Sequence, residues 1–130
     1  YCRYFTFTQP SGYDMSAVGT AITLTKGNET IDIIYDTEKS VDDKSADIGE
    51  VITSLKAQGF NPEVNDETKT LCGEDAKFTE IKVSANGKEA FIVSALFEKN
   101  GVTYACTYKT SKAGANTGDF ESIVNSISFR

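Results

Sequence analysis

The chain of 130 residues contains no histidine. Histidine is the commonest general base, activator of nucleophiles and transition-metal ligand in proteins, so Ser-His-Asp and Cys-His catalysis is excluded within this chain. A zinc site would need carboxylates beside the cysteines, and these have no CxxC spacing. The sequence therefore predicts no catalytic residue, no metal site and no cofactor, and we expect a protein that is not an enzyme.

Positive charge and long apolar runs are also scarce. The net charge is −6, and the only arginines are Arg3 and Arg130. Nucleic acids and anionic membranes both need a cluster of Lys and Arg side chains, so neither is an expected partner. No apolar run approaches the ~20 residues that span a bilayer, so we expect no membrane insertion of this segment. Another protein or a small ligand is the predicted partner.

Three cysteines are candidates for a disulfide: Cys2, Cys72 and Cys106. Outside the cytoplasm, one bridge and one free thiol are expected, and in a reducing compartment three buried thiols are equally consistent with the sequence. Spacing alone does not choose the pairing. The neighbours of Cys106 are aromatic and no imidazole is available to lower its pKa, so a structural thiol is expected rather than a nucleophile.

Acidic residues crowd the segment from Asp36 to Glu50, which raises the possibility of a calcium loop. An EF-hand needs glycine at its sixth position and a bidentate glutamate at its twelfth. Counted from Asp36, these positions are Val41 and Asp47, so the pattern fails. Acids at the start of a helix are the better interpretation, because the helix dipole favours negative charge there.

Two segments carry apolar residues at helical spacing. In both, the spacing is i, i+3, i+4 and i+7, and in the first a glycine follows as the expected C′ residue, Gly59. The two sets are Ile48, Val51, Ile52 and Leu55, and Phe120, Ile123, Val124 and Ile127.

The remaining apolar segments read as strands. The first third predicts strands at 4–8, 13–18, 21–25 and 31–35, whereas 60–70 reads as a polar connection with at most one short strand around Val64. Asn86-Gly87 and Asn100-Gly101 are two-residue hairpin turns that join strands at 76–85, 88–99 and 102–109.

These turns fix the register of the three strands, since Ala85 must pair with Lys88, and Lys99 with Val102. Both faces of this sheet are then largely apolar. One face carries Phe78, Phe91, Val93, Ala95, Phe97, Tyr104, Cys106 and Tyr108, and the other carries Ile81, Val83, Ala90, Ile92, Ser94, Leu96, Ala105 and Thr107. The prediction is one α+β domain over residues 1–130, with a mostly antiparallel sheet sandwiched between two amphipathic helices.

The order of these elements resembles the PsbP-like fold superfamily. The opening FTFTQPSGYDM is similar to the F-x-F-x-x-P-x-G-W start of that superfamily, with Tyr13 where relatives often carry Trp. The similarity continues through VITSLKAQGF, TLCGEDAKFTEIKV, YACTYKT and FESIVNSISF. The superfamily includes the photosystem II extrinsic protein and small bacterial envelope proteins and lipoproteins. The resemblance implies a non-catalytic, exported protein located outside the cell or in the cell envelope.

The alternating residues Tyr104, Cys106 and Tyr108 are expected first of all to form half of a hydrophobic core. The functional alternative is a small aromatic pocket with Tyr104, Tyr108, Phe91 and Phe97 as ligand-binding residues. The leading hypothesis is a binding or accessory module that acts through a protein surface or such a pocket. Two alternatives remain: a ligand carrier or histidine-independent enzyme that uses Tyr104 or Tyr108 with a nearby carboxylate, and a structural domain of a larger surface protein.

Overall fold

The computed structural model describes residues 5–9, 11–85, 87–111 and 117–129. Cys2 and Asn86 lie outside these residues. The described strands and helices are, in order, β1 Phe5–Thr6, β2 Asp14–Val18, β3 Ala21–Lys26, β4 Glu29–Asp36, α1 Val41–Ala57, β5 Glu63–Leu71, β6 Glu74–Ala85, β7 Lys88–Lys99, β8 Val102–Thr110, α2 Thr117–Asn125 and β9 Ser128–Phe129.

Seven of the described strands form one antiparallel sheet in the order β2-β3-β4-β8-β7-β6-β5. The two hairpins of the first third therefore join the later meander through a single long-range pairing, β4 with β8. The short strands β1 and β9 pair separately and connect the two ends of the described chain. The α+β class is confirmed.

The predicted register of the meander is confirmed. Ala85 pairs with Lys88 and Lys99 pairs with Val102. Asn100 has φ 53° and Gly101 has φ 78°, the positive values that a type I′ turn requires at both central positions. Because the side-chain period of a strand is 2, this register places every residue of the three strands on its expected face.

The first of these faces forms the main core. All eight residues assigned to it belong to one buried cluster, together with three side chains of the second helix, Phe120, Ile123 and Val124. Leu24, Ile31 and Ile33 extend the cluster along β3 and β4. Helix α2 therefore packs on this face.

Helix α1 lies against β7 and β8, and the groove below it is lined by residues of the second face. Ser40 and Asp43 form a capping box at its start: Asp43 N–H donates to Ser40 Oγ at 3.1 Å and Ser40 N–H to Asp43 Oδ2 at 3.0 Å. At its end, Gly59 has the positive φ expected after a helix. All residues of α1 are described and none is buried, so this helix covers its face only in part.

The segment after α1 differs from its expected polar connection. It forms the nine-residue strand β5, which pairs along its whole length with β6. Sequence periodicity does not reveal it, because β5 is an edge strand whose side chains from Glu63 to Thr68 are all exposed. Polar and charged residues suit such an edge, where they discourage pairing with another chain.

Candidate functional site

The four aromatic residues proposed from the sequence as ligand contacts lie in the core. Phe91, Phe97, Tyr104 and Tyr108 are each at most 4% exposed. The ring of Phe97 stacks on Tyr104 with centroids 5.2 Å apart. Two grooves on the surface, described below, are lined by other side chains. Packing therefore accounts for Phe91, Phe97 and Tyr104, and their part in ligand binding remains a prediction.

Tyr108 differs from these residues because its hydroxyl reaches a carboxylate. The ring is fully buried and stacks on Phe120, with centroids 6.0 Å apart. The Tyr108 hydroxyl donates to Glu29 Oε1, and the two oxygens are 2.5 Å apart. Distances this short are typical of hydrogen bonds to a carboxylate. Burial and then the Glu29 carboxylate raise the pKa of Tyr108 above its ordinary value of 10.0. Glu29 is therefore a candidate for the nearby carboxylate that the second sequence-based alternative pairs with Tyr108.

Tyr13 is a second tyrosine that lies near Glu29. Tyr13 is 5% exposed, and its hydroxyl has no hydrogen-bond partner among the residues that the structure describes. Burial, the charge of Glu29 and the charge of Asp119 raise the pKa of Tyr13 to about 12. The Asp119 carboxylate is close enough to the Tyr13 hydroxyl to raise this pKa through a side-chain hydrogen bond as well as through its charge, although the pair falls outside strict hydrogen-bond geometry. Two phenols and two carboxylates therefore meet at one end of the core, and we call these four residues the tyrosine–carboxylate cluster.

The fold brings the cluster together from four elements. Glu29 begins β4, Tyr108 lies near the end of β8, and the antiparallel β4–β8 pairing places these two strand ends side by side. Tyr13 directly precedes β2, and its carbonyl accepts from Gln9 Nε2 at 3.0 Å. Asp119 lies in the first turn of α2, where the helix dipole favours a negative charge.

A different opening lies under α1, on the opposite face of the sheet. Four aliphatic side chains line this groove, which encloses about 220 Å³: Ile48 and Val51 of the helix, and Ile81 and Ile92 of the sheet. Asp47 and Lys109 bring one charge of each sign to its lining. Val51 lines the groove and remains 46% exposed. We call this the α1 groove.

A more polar opening lies near the start of α1. Its lining includes Ser45 of the helix, Asp66 of β5 and Lys77 and Thr79 of β6. Two polar contacts lie in or beside this opening. Thr79 Oγ1 donates to Asp66 Oδ1 at 2.8 Å, and Lys77 Nζ lies 3.4 Å from Asp42 Oδ1. The first contact joins β6 to β5, and the second is an exposed ion pair between β6 and α1.

The two described cysteines are free thiols in the structure. Cys106 is fully buried, and burial raises its pKa. Cys72 is half-buried, and burial followed by the charge of Glu74 raises its pKa to about 11. The positive charge of Lys99 acts on Cys72 in the activating direction, but burial and Glu74 outweigh it. The disulfide pairing remains a prediction, because Cys2 lies outside the described residues.

The acidic segment before and within α1 has structural roles. Asp36 Oδ1 accepts from the N–H groups of Glu38 and Lys39, and Asp43 completes the capping box of α1. Within the described part of the chain, no group of three or more Asp, Glu or Cys residues is placed to hold a metal ion. None of the helices described is long and apolar enough to cross a membrane.

No protein-family model matches the chain, and no curated protein matches it by sequence. Solved structures share its fold. A crystal structure from Bacteroides thetaiotaomicron VPI-5482 has a TM-score of 0.67 at 12% identity, over 97% of this chain. LpqN of Mycobacterium tuberculosis, which is involved in cell envelope biogenesis, has a TM-score of 0.55 at 15% identity and matches 95% of this chain and 83% of its own.

The chain spans 45% of the length of the Bacteroides protein. At these identities the likeness shows the fold alone. Neither structure is identified as PsbP-like, so that resemblance remains a prediction.

Proposed function

We propose that the chain is a non-catalytic binding or accessory module of the cell envelope, exported and PsbP-like in its two-helix sandwich. The fold shared with LpqN, a protein involved in cell envelope biogenesis, supports the envelope association. The lack of histidine and the raised pKa of Cys72 and of Cys106 support a role without nucleophilic catalysis. The binding partner is another protein or a small ligand.

The observation that carries the proposal is the α1 groove. Ligand sites are typically concave and apolar, with few polar groups that fix orientation. The groove combines four aliphatic side chains with the hydroxyls of Ser94 and Thr107 and the charges of Asp47 and Lys109. Its occupant would be an apolar group, such as an acyl chain or an aliphatic side chain of a partner, with an anionic end near Lys109. Each buried methylene would contribute about 0.8 kcal/mol.

The two walls of the groove differ in packing. None of the residues of α1 is buried, whereas Ile81 and Ser94 of the sheet beneath it are buried. In the proposed module, an occupant makes new contacts with the exposed side chains of α1 on one wall and with the meander on the other.

Octanoate, an eight-carbon anion, is a suitable probe. Titrated into ¹⁵N-labelled protein, it should shift amide signals of α1, β7 and β8 saturably. Val51→Asp places a charge in the groove and should abolish these shifts. Val18→Asp is the matched control, because Val18 is 76% exposed and lies outside this lining. Equal binding by the two variants, or shifts confined to other strands, would overturn the proposal.

A second candidate function is a small-ligand carrier or histidine-independent enzyme. The hydrogen bond of 2.5 Å between Tyr108 and Glu29 favours this candidate for Tyr108, the second of its two proposed tyrosines. Glu29 is half-buried, so a ligand would meet this carboxylate before the tyrosine. A hydrolase or transferase activity that Glu29→Gln abolishes, with the fold intact, would establish this function over the first.

A third candidate is a structural domain of a larger surface protein. This candidate is supported by the structural match to the Bacteroides protein, because the match covers less than half of that longer protein. The sequence that flanks this chain in its gene would test it, since neighbouring domains or an anchor are expected.

A further inference from the structure

Two hydroxyl side chains lie side by side in the floor of the α1 groove. Ser94 of β7 pairs with Thr107 of β8, and both residues line the groove. Directly paired residues point to the same face with Cβ atoms about 4.5–5.5 Å apart, so one small group of a ligand can reach both hydroxyls. Ser94 is only 4% exposed, and Thr107 is half-buried. The floor of the groove therefore carries two adjacent hydrogen-bonding groups as well as its aliphatic side chains.

These two hydroxyls belong to a row of polar residues that crosses the whole sheet in register. From one edge to the other, the row consists of Ser16, Thr23, Asp32, Thr107, Ser94, Thr79 and Asp66. On one side of the row Thr23 Oγ1 donates to Asp32 Oδ1 at 2.7 Å. On the other side Thr79 Oγ1 donates to Asp66 Oδ1 at 2.8 Å.

The two hydroxyls in the middle of the row differ from these pairs. Neither Ser94 nor Thr107 forms a side-chain hydrogen bond with any residue that the structure describes. A polar group of a mostly buried side chain that lacks a protein partner calls for an explanation, such as a bound water, ion or ligand. Because both hydroxyls line an open groove, the occupant of that groove can supply the missing partner.

Lys109 places a positive charge beside the two hydroxyls. It follows Thr107 by two residues on β8, so the two side chains lie on the same face of the sheet, and both line the groove. Within the described chain Lys109 has no ion pair, and Asp47, the acid of the lining, lies on the helix wall. The ammonium and the hydroxyls together supply several hydrogen-bond donors and one positive charge.

We propose that the α1 groove binds a short-chain carboxylate whose carboxylate group lies on Ser94 and Thr107 and beside Lys109. A carboxylate has about four acceptor sites, so it can accept from both hydroxyls and from the ammonium at once. Its hydrocarbon chain then lies between the aliphatic side chains of the helix wall and those of the sheet wall. This inference rests on the proposed function, since it assigns the ligand class of the same groove.

The chemistry of the groove separates a carboxylate from other amphiphiles. A neutral alcohol would leave the charge of Lys109 without a counter-charge, and hydrogen bonds to a charged group are about twice as strong as neutral ones. An alkylammonium would be repelled by Lys109 and would have to turn toward Asp47. The groove encloses about 220 Å³, less than the ~300–1,000 Å³ of typical ligand pockets, which favours a short chain.

The test is a titration of ¹⁵N-labelled protein at pH 7 with three probes of equal chain length: sodium octanoate, n-octanol and n-octylamine hydrochloride. We expect octanoate to shift the amide signals of Ser94, Thr107 and Lys109 saturably and to bind about tenfold more tightly than octanol. Octylamine should bind more weakly than either. Val51→Asp should abolish the binding of octanoate and of octanol, because both chains use the same groove.

Variants make the assignment specific. Ser94→Ala and Thr107→Val each remove a hydroxyl, Lys109→Met removes the charge, and each change should weaken octanoate binding about tenfold. Asp47→Asn removes the negative charge of the helix wall and should strengthen octanoate binding.

The matched control is Thr103→Val, which should bind octanoate as the wild type does. Thr103 lies on the same face of β8 as Thr107 and is 2% exposed, but it does not line the groove. The thermal midpoint of each variant checks that it folds.

The outcomes separate this inference from the proposed function. If octanol or octylamine binds the groove as tightly as octanoate, the assignment of the carboxylate is wrong and the groove remains a binding site. The assignment is also wrong if folded Ser94→Ala and Thr107→Val proteins both bind octanoate with unchanged affinity, or if Asp47→Asn weakens its binding. If none of the three probes binds, the inference and the proposed function both fail.

Discussion

Replacing Tyr108 by phenylalanine removes one hydroxyl from a fully buried side chain and leaves its packing on Phe120 in place. The hydroxyl donates to the Glu29 carboxylate, and the two oxygens are 2.5 Å apart. Hydrogen bonds to charged groups contribute about 1.5–3 kcal/mol each. We therefore expect Tyr108→Phe to lower the free energy of unfolding by that amount.

The same substitution at Tyr13 should not lower the free energy of unfolding. Tyr13 is almost as deeply buried, but its hydroxyl has no partner among the described residues. Its burial therefore carries a desolvation cost of about 1–3 kcal/mol that no hydrogen bond offsets. Tyr13→Phe should leave the free energy of unfolding unchanged or raise it by up to that amount.

Urea unfolding of both variants, followed by circular dichroism, measures these changes from the midpoints at constant slope. A double-mutant cycle of Tyr108→Phe with Glu29→Gln isolates the pair and should give a coupling of about 0.5–3 kcal/mol. A loss of similar size in Tyr108→Phe and Tyr13→Phe would refute the reasoning, because it would mean that the Tyr13 hydroxyl makes a hydrogen bond in the folded protein. A coupling near zero would refute the assignment of the Glu29 bond.

Titration, capping, thiol burial and disulfide formation can be tested as well. The pKa of Tyr13 is about 12 in the folded protein and 10.0 ordinarily, so the unfolded chain loses this proton first and the free energy of unfolding falls as the pH rises from 10 toward 12. The free energy of unfolding of Tyr13→Phe should decline less steeply over this range. Ser40→Ala removes a cap worth about 0.5–2 kcal/mol, and hydrogen exchange should quicken in α1 more than in the sheet, since this helix buries no residue. In reduced native protein, iodoacetamide at pH 8 should modify Cys72 slowly and Cys106 only after unfolding, as read by peptide mass. Intact mass before and after reduction should show one bridge in protein matured outside the cytoplasm.

The fold of the meander could be predicted because its determinants are local. Two Asn-Gly turns set the register, and a period-2 pattern then assigns each side chain to a face. Helix α1 could be predicted for the same reason, since its stripe, its capping residues and Gly59 all lie within one short segment. In both cases the information needed lies in neighbouring residues of one continuous segment.

Strand β5 could not be found in this way, because a strand at a sheet edge need not alternate. From Glu63 to Thr68 its side chains are exposed on both faces, so polar residues are tolerated at every position. Its pairing with β6 rests on backbone hydrogen bonds, which any sequence without proline can make.

The tyrosine–carboxylate cluster was hidden from the sequence for a physical reason of its own. Alternation correctly places the ring of Tyr108 in the core, but it gives no information on what its hydroxyl meets. The partner, Glu29, is 79 residues away and becomes a neighbour only through the β4–β8 pairing. Tyr13 carried only a weak signal, a hydroxyl that a buried apolar position does not require. The pairing of strands distant in sequence, rather than any motif, therefore decides which acceptor a buried hydroxyl meets.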